Sequence, residues 1–295
     1  MIVFFIKNQK ERNMIANYEH EIPDGSRLYF GKSAQIKRKI ENTASEILLK
    51  NGFNEILTPY FSYHQNLSVN SEQLLKFSDP ANNEISLRAD STVDVVRIAR
   101  RRIKNQNLKR WFYVQPIFKY PSAEFYQIGA EMINEKNLIL AISVATEIFE
   151  KFGLKPVLQI SNIKIPKQIC KILDLEISVF EKGEIEILLA KNLPWLDALA
   201  RAKTLKDVRE LKKIAPDEIQ SSLDEILNLN LKYENISVSL LYYSKMRYYD
   251  EMFFRFIDAN SVLCSGGNYK IDEITSSGFA VMVDSLIEKL QKDEK

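Results

Sequence analysis

A chain of 295 residues with 45% hydrophobic content can bury one substantial core, alone or with a small appended unit. Forty-one basic residues against 39 acidic give a net charge of only +2, so the overall field singles out neither nucleic acid nor a membrane as partner. Two distant cysteines, Cys170 and Cys264, and two histidines, His20 and His64, argue against a disulfide framework, a zinc site or a histidine-based catalytic device, and they fit a reducing cytoplasm.

The opening Met1-Ile2-Val3-Phe4-Phe5-Ile6 is apolar but too short to span a bilayer, and reads as a strand or a loosely attached arm. Residues 33–51 place Ile36, Ile40, Ala44, Ile47 and Leu48 at helical spacing, with Ser33 as N-cap and Gly52 just past the end. A strand is expected over 53–59, ended by Pro59, another over 85–89, and then a helix over 91–104. Residues 111–119 and 125–133 read as a hairpin around Pro121, so the sheet is antiparallel here. A helix over 137–152 and a strand over 157–161 lead into 165–231, where leucine and isoleucine at helical spacing predict several short helices. Strands follow at 237–243 and 246–257, then a turn at Gly266-Gly267 and a last helix over 282–292. The fold class is therefore α+β: one domain over 1–295 with a helical insertion at 165–231. Both histidines read as structural or surface residues.

The most suggestive chemistry lies in the hairpin. Period-two alternation over 125–133 puts Tyr126, Ile128, Ala130 and Met132 on a core face, and Gln127, Gly129 and Glu131 on the other. An amide and a carboxylate separated by a glycine leave room above the sheet. A carboxylate there is costly to bury unless something positive compensates, as a ligand ammonium would. If Lys119 stands opposite Phe125, then Tyr113, Gln115 and Lys119 join the same face. The plainer reading is an internal ion pair between Glu131 and Lys119 or an arginine.

Several segments in register resemble histidyl-tRNA synthetases of class II. Phe112-Tyr113-Val114-Gln115-Pro116-Ile117-Phe118-Lys119 and Glu124-Phe125-Tyr126-Gln127-Ile128-Gly129-Ala130-Glu131 are similar to motif 2; Asn51-Gly52-Phe53-Asn54-Glu55-Ile56-Leu57-Thr58-Pro59 resembles motif 1, the dimer interface. Leu87-Arg88-Ala89-Asp90-Ser91-Thr92 resembles L-R-P-E-x-T, and Ser276-Ser277-Gly278-Phe279-Ala280 through Leu286 resembles motif 3. The resemblance implies a class II sheet flanked by helices. It also implies an amino-acid site in which Glu131 and Gln127 hold the amino group with help from Asp90 and Thr92. Tyr248 and Tyr249 would line the side-chain pocket, and Lys119 or Arg247 would face the carboxylate.

The departures concern the nucleotide. Lys119 replaces the motif 2 arginine, Ser244 the catalytic arginine, Asn268 the arginine of G-G-R-Y-D, Ser285 the motif 3 arginine, and Met282 a glycine; the motif 2 loop is also short. Each lost donor to a pentavalent phosphorus typically costs about 2.7–4 kcal/mol, which makes adenylation at a synthetase rate untenable. The chain runs only ten residues past Ser285, so the anticodon-binding domain is expected to be missing.

Such a chain is similar to the regulatory subunits of short-form ATP phosphoribosyltransferase. That resemblance implies a non-catalytic, cytoplasmic protein without cofactor, a homodimer through motif 1, histidine as ligand, and feedback control of a separate catalytic subunit in histidine biosynthesis. Two rivals stand beside it. Arg97, Arg100, Arg101, Arg102, Lys104, Lys109 and Arg110 could track an RNA backbone, although a solvated helix face is the simpler account. A paralogue activating an amino acid for a non-tRNA acceptor is the other.

Overall fold

The computed structural model describes residues 21–103, 109–244 and 246–293; the opening apolar segment, His20, Lys104 and Lys245 lie outside the described residues. Helix α1 (Gly31–Lys50) buries Ile40, Ala44, Ile47 and Leu48 along one stripe. It begins at Gly31, so Ser33 is not the cap but sits one turn inside, where its hydroxyl accepts from the Phe30 N–H at 3.0 Å. Its end follows from Gly52, at φ +79°. The Gly52 N–H bonds Leu49 O and the Phe53 N–H bonds Leu48 O, both at 3.0 Å, which closes the last turn and buries Phe53.

The chain continues through β1 (Asn54–Glu55), β2 (Phe61–Ser62), β3 (Lys76–Ser78), β4 (Glu84–Leu87), α2 (Thr92–Ile98) and a π-helical turn at Ala99–Ile103. The hairpin strands β5 (Arg110–Lys119) and β6 (Ala123–Met132) lead to α3 (Leu138–Glu150), whose first turn is capped by Asn137 Oδ1 accepting from the Leu140 N–H at 3.1 Å. Strand β7 (Val157–Asn162) precedes the expected run of short helices: α4 (Lys164–Leu173), α5 (Ser178–Lys182), α6 (Ile185–Leu189), α7 (Pro194–Arg201), α8 (Leu205–Leu211) and α9 (Asp217–Leu227). Last come β8 (Ile236–Val238), β9 (Tyr249–Asp258), β10 (Ser261–Ile271), β11 (Ile274–Met282) and α10 (Val283–Asp293).

Eight strands form the main sheet in the order β1-β5-β6-β11-β10-β9-β7-β8, antiparallel except for the pairs β1/β5 and β7/β8. The fold is α+β, as expected. One face packs under α1, α3 and α10, with Met132, Phe149, Phe254, Phe256 and Val281 in the principal core. The opposite face carries a smaller cluster of Val93, Val96, Trp111, Tyr113, Tyr248 and Tyr269 beneath α2. The six helices link β7 to its parallel neighbour β8.

Three expectations need correction. The strand over 53–59 reduces to Asn54–Glu55, because beyond Ile56 the backbone turns to side chains: the Thr58 N–H donates to Gln115 Oε1 at 3.2 Å. The strand over 237–243 ends at Val238, and Tyr242 and Tyr243 leave the sheet to line a cavity. Gly266-Gly267 is not a turn but the middle of β10, where a Cβ on Gly266 would stand 2.4 Å from the Gly278 carbonyl oxygen. The true turn is Asp272-Glu273, both at positive φ, a two-residue hairpin loop between β10 and β11 that the sequence reading missed.

A small three-stranded sheet, β2-β4-β3, is tied to the main sheet by Arg88, whose side chain is wholly buried. Its Nη2 donates to Pro116 O at 2.7 Å, while Nη1 donates to Thr58 O at 3.0 Å and Pro59 O at 3.1 Å. The Phe118 N–H in turn bonds Arg88 O at 2.8 Å. Removing these donors orphans several buried carbonyls. The Arg88→Met variant should therefore lose about 3 kcal/mol or more, read as a lower urea midpoint; an unchanged midpoint would refute the clamp.

Candidate amino-acid-binding site

Strand β6 supplies the floor of the site. Tyr126, Ile128 and Met132 pack toward the helices, and Gln127, Gly129 and Glu131 point the other way, as alternation predicts. Lys119 pairs with Ala123, not Phe125, and the slip of two residues leaves every side chain on its expected face. The room expected above Gly129 is filled. A Cβ there would lie 2.2 Å from the Tyr113 hydroxyl oxygen, because Tyr113 lies across the glycine from the neighbouring strand.

Glu131 is almost fully buried and accepts from Thr92 Oγ1 at 2.8 Å and from the Tyr269 hydroxyl at 2.7 Å. The carboxylate fits only because Gly278 is opposite: a Cβ on it would come within 2.1 Å of Glu131 Oε2. No cation pairs with Glu131 among the described residues, so the alternative of an internal ion pair finds no support there. Burial pushes its pKa up to about 8, with the two hydroxyl donors opposing. Asp90 is the second buried acid. It accepts from Ser68 Oγ at 3.2 Å and the Tyr248 hydroxyl at 3.0 Å, and burial raises its pKa as well.

Asp90, Thr92 and Tyr248 border a cavity of about 380 Å³, within the range of small-ligand clefts. Of the residues expected at the site, Asp90, Thr92, Lys119, Gln127, Tyr248 and Tyr249 line it. Two do not. Glu131 lies behind Thr92, drawn into the sheet by Thr92, Tyr269 and the missing Cβ of Gly278. Arg247 points elsewhere, donating to Asn66 O at 3.0 Å and Asn70 Oδ1 at 2.5 Å. Gln127 Nε2 approaches Met282 Sδ at 3.6 Å, and its buried Oε1 has no hydrogen-bond partner among the described residues. The sequence reading missed Arg255 and Tyr242 in the wall. Alternation on β9 carried the signal for Arg255, since Phe254 and Phe256 belong to the core on the other face.

A profile described as histidyl-tRNA synthetase matches residues 29–286. An ATP phosphoribosyltransferase regulatory subunit of Wolinella succinogenes is 42% identical over 94% of this chain and 98% of its own length. A protein of the same name from Helicobacter hepaticus is 37% identical over 92% of this chain and 98% of its own. The chain belongs to the ATP phosphoribosyltransferase regulatory subunits of the histidyl-tRNA synthetase family. Its fold matches a Bacillus halodurans structure titled as an ATP phosphoribosyltransferase regulatory subunit/histidyl-tRNA synthetase, with a TM-score of 0.79 at 21% identity over 92% of this chain and 83% of that one.

Within this histidyl-tRNA synthetase fold, the altered motif positions have taken other work. Ser244 and Met282 both line the cavity, the second resting against Gln127. Asn268 is buried in the sheet, its Oδ1 accepting from Ser277 Oγ at 2.7 Å. Part of the basic cluster is engaged internally: Arg97 and Arg101 meet Asp272 at 2.5 and 3.3 Å, and Arg110 pairs with Glu135 at 2.6 Å. Cys170 and Cys264 are free and buried, and no cluster able to hold a metal occurs among the described residues. No helix among them is long and apolar enough to cross a membrane.

The two acids give the subunit a pH signature. Folded, Glu131 keeps its proton up to about pH 8; unfolded, it releases it near 4.5. Its contribution to stability is thus complete below the lower value and is lost as pH rises toward the upper one. Urea midpoints should fall between about pH 5 and pH 8, and less steeply for Glu131→Gln; parallel profiles would contradict this assignment.

Proposed function

We propose that this chain is the non-catalytic regulatory subunit of a short-form ATP phosphoribosyltransferase, acting in the cytoplasm, and that its cavity binds histidine. The observation that carries the reading is the placement of the buried acid Asp90 on the cavity wall beside Thr92 and an amide whose oxygen lacks a partner. An ammonium arriving there would meet Asp90, Thr92 and Gln127, and Glu131 would act at one remove by holding Thr92 Oγ1 in place. The rings of Tyr248 and Tyr249, with centroids 4.8 Å apart, offer an aromatic wall for an imidazole.

Adenylation finds little support in the same wall. Among the described residues Lys119 and Arg255 are its only cations, and Met282 occupies the approach to Gln127. The RNA reading loses ground because Arg97, Arg100, Arg101 and Arg110 already bond Asp272 and Glu135. A homodimer through the motif 1 region is supported by exposed apolar residues there: Leu57 is 71% exposed, Phe61 56% and Tyr60 55%. On this reading residues 165–231 are a helical insertion within a single class II domain.

Histidine should give saturable heat in calorimetry, and Asp90→Asn should weaken it about tenfold or more in a variant that still melts cooperatively. Added to a short-form catalytic subunit, the protein should raise turnover and render it sensitive to histidine. A folded protein showing no heat at millimolar histidine removes the ligand. Amino-acid-dependent pyrophosphate exchange would overturn the non-catalytic reading.

A further inference from the structure

Asp90 takes its two hydroxyl bonds from two different stretches of chain. Tyr248, just ahead of β9, is fixed on the sheet side: its carbonyl accepts from the Lys270 N–H at 3.0 Å, and its ring meets that of Tyr269 edge-on with centroids 5.5 Å apart. Ser68 comes from the stretch 65–70, which belongs to neither sheet. Gln65 holds the near end of that stretch to the backbone beside Asp90. Its Oε1 accepts from the Ala89 and Asp90 N–H groups, each at 2.8 Å, and its Nε2 donates to Asp90 O at 3.0 Å.

Arg247 holds the far end. Its guanidinium donates to Asn66 O at 3.0 Å and to Asn70 Oδ1 at 2.5 Å, while its own N–H donates to Ser68 O at 3.2 Å. Three bonds from the residue preceding Tyr248 thus reach 66–70, and they extend the anchorage of Tyr248 on β10 across to Ser68. Met246, one residue earlier, adds an apolar contact between the same two stretches by packing against Val69, Leu74 and Ala89. A planar guanidinium serves two acceptors at once in fixed directions, as an ammonium would not. The net free energy of such bonds is modest, so their effect falls on where Ser68 stands more than on whether the chain folds.

We propose that Arg247 is a positioning residue: by holding 66–70 beside Tyr248 it keeps the Ser68 hydroxyl on Asp90, and so sets the geometry of the acid that receives a ligand ammonium. This rests on the amino-acid reading of the cavity given above. The path is short, since Arg247 bonds Ser68 and Ser68 bonds Asp90. Around the Asp90 carboxyl stand the Ser68 and Tyr248 hydroxyls, the Val93 N–H, the cation Lys119 and the neighbouring acids Asp94 and Glu131. Burial makes the ionised form of Asp90 costly and the two hydroxyls favour it, so losing Ser68 raises the pH at which Asp90 gives up its proton.

The test is histidine calorimetry on the full chain and on its Arg247→Met, Ser68→Ala, double and Asn70→Ala variants, each checked by thermal melting. Arg247→Met and Ser68→Ala should each weaken histidine about fivefold, and the double variant no more than either alone, because both act through one bond. Asn70→Ala, which removes an acceptor while keeping the arginine, should show part of the loss. The rise of histidine affinity with pH should also lie at higher pH in Arg247→Met than in the parent. The ligand's own titration is common to both and cancels, and a general loosening of the fold would not move the profile. Parent-like affinity in Arg247→Met or Asn70→Ala, losses that multiply in the double variant, or an unmoved pH profile each overturn the assignment and leave the amino-acid site standing. If the parent shows no heat with histidine, the amino-acid reading falls and this one with it.

Discussion

The burial of two carboxyls, Asp90 and Glu131, on one face of a β-sheet with no ion pair to either among the described residues is the constraint around which this molecule is arranged. Isolated acids at such depth are expensive, and the chain limits the cost in three ways. Hydroxyls of Thr92, Tyr269, Ser68 and Tyr248 satisfy the oxygens. Gly278 omits the one side-chain atom that would collide with the Glu131 carboxylate. Burial itself shifts both acids toward the neutral form. What remains is a pair of buried acids whose ionisation an arriving positive group would favour.

On the proposed reading, this arrangement lets a synthetase-like fold lose one half of its chemistry and keep the other. The amino-acid side, on the reading proposed above, is carried by Asp90, Thr92, Gln127 and the tyrosines, which line one cavity. The nucleotide side depends on cations at positions where this chain has Ser244, Asn268 and Ser285, and none of those side chains carries charge. Because the two halves draw on different strands, one can decay without unfolding the other. Among the described residues the cavity's cations are Lys119 and Arg255, and neither stands at any of those positions.

Much of this was legible in the sequence, for identifiable reasons. Period-two alternation on β6 and the resemblance of 112–131 to motif 2 placed Gln127 and Glu131 on one face, and the face survived a two-residue error in register because side chains repeat every second residue. The helical spacing of Ile40, Ala44 and Ile47 was equally informative. What sequence could not convey was depth and direction. Nothing in the pattern shows that Tyr113 covers Gly129, that Glu131 sits behind Thr92, or that Arg247 turns toward Asn70. Gly266-Gly267 was read as a turn since glycine pairs usually mark one, whereas here they admit neighbouring strands at close range.

The convergence of arginines on Asp272 bears on more than surface charge. That aspartate occupies the tip joining β10 to β11, the same two strands that contribute Tyr269 and Gly278 beside Glu131. Helix α2 is thus fastened to one hairpin at both extremities: Thr92 at its start through Glu131, and Arg97 near its finish through Asp272. Any molecule entering the cavity would find its frame assembled in advance, and the disorder that a slack receptor surrenders during capture would here have been surrendered already in folding.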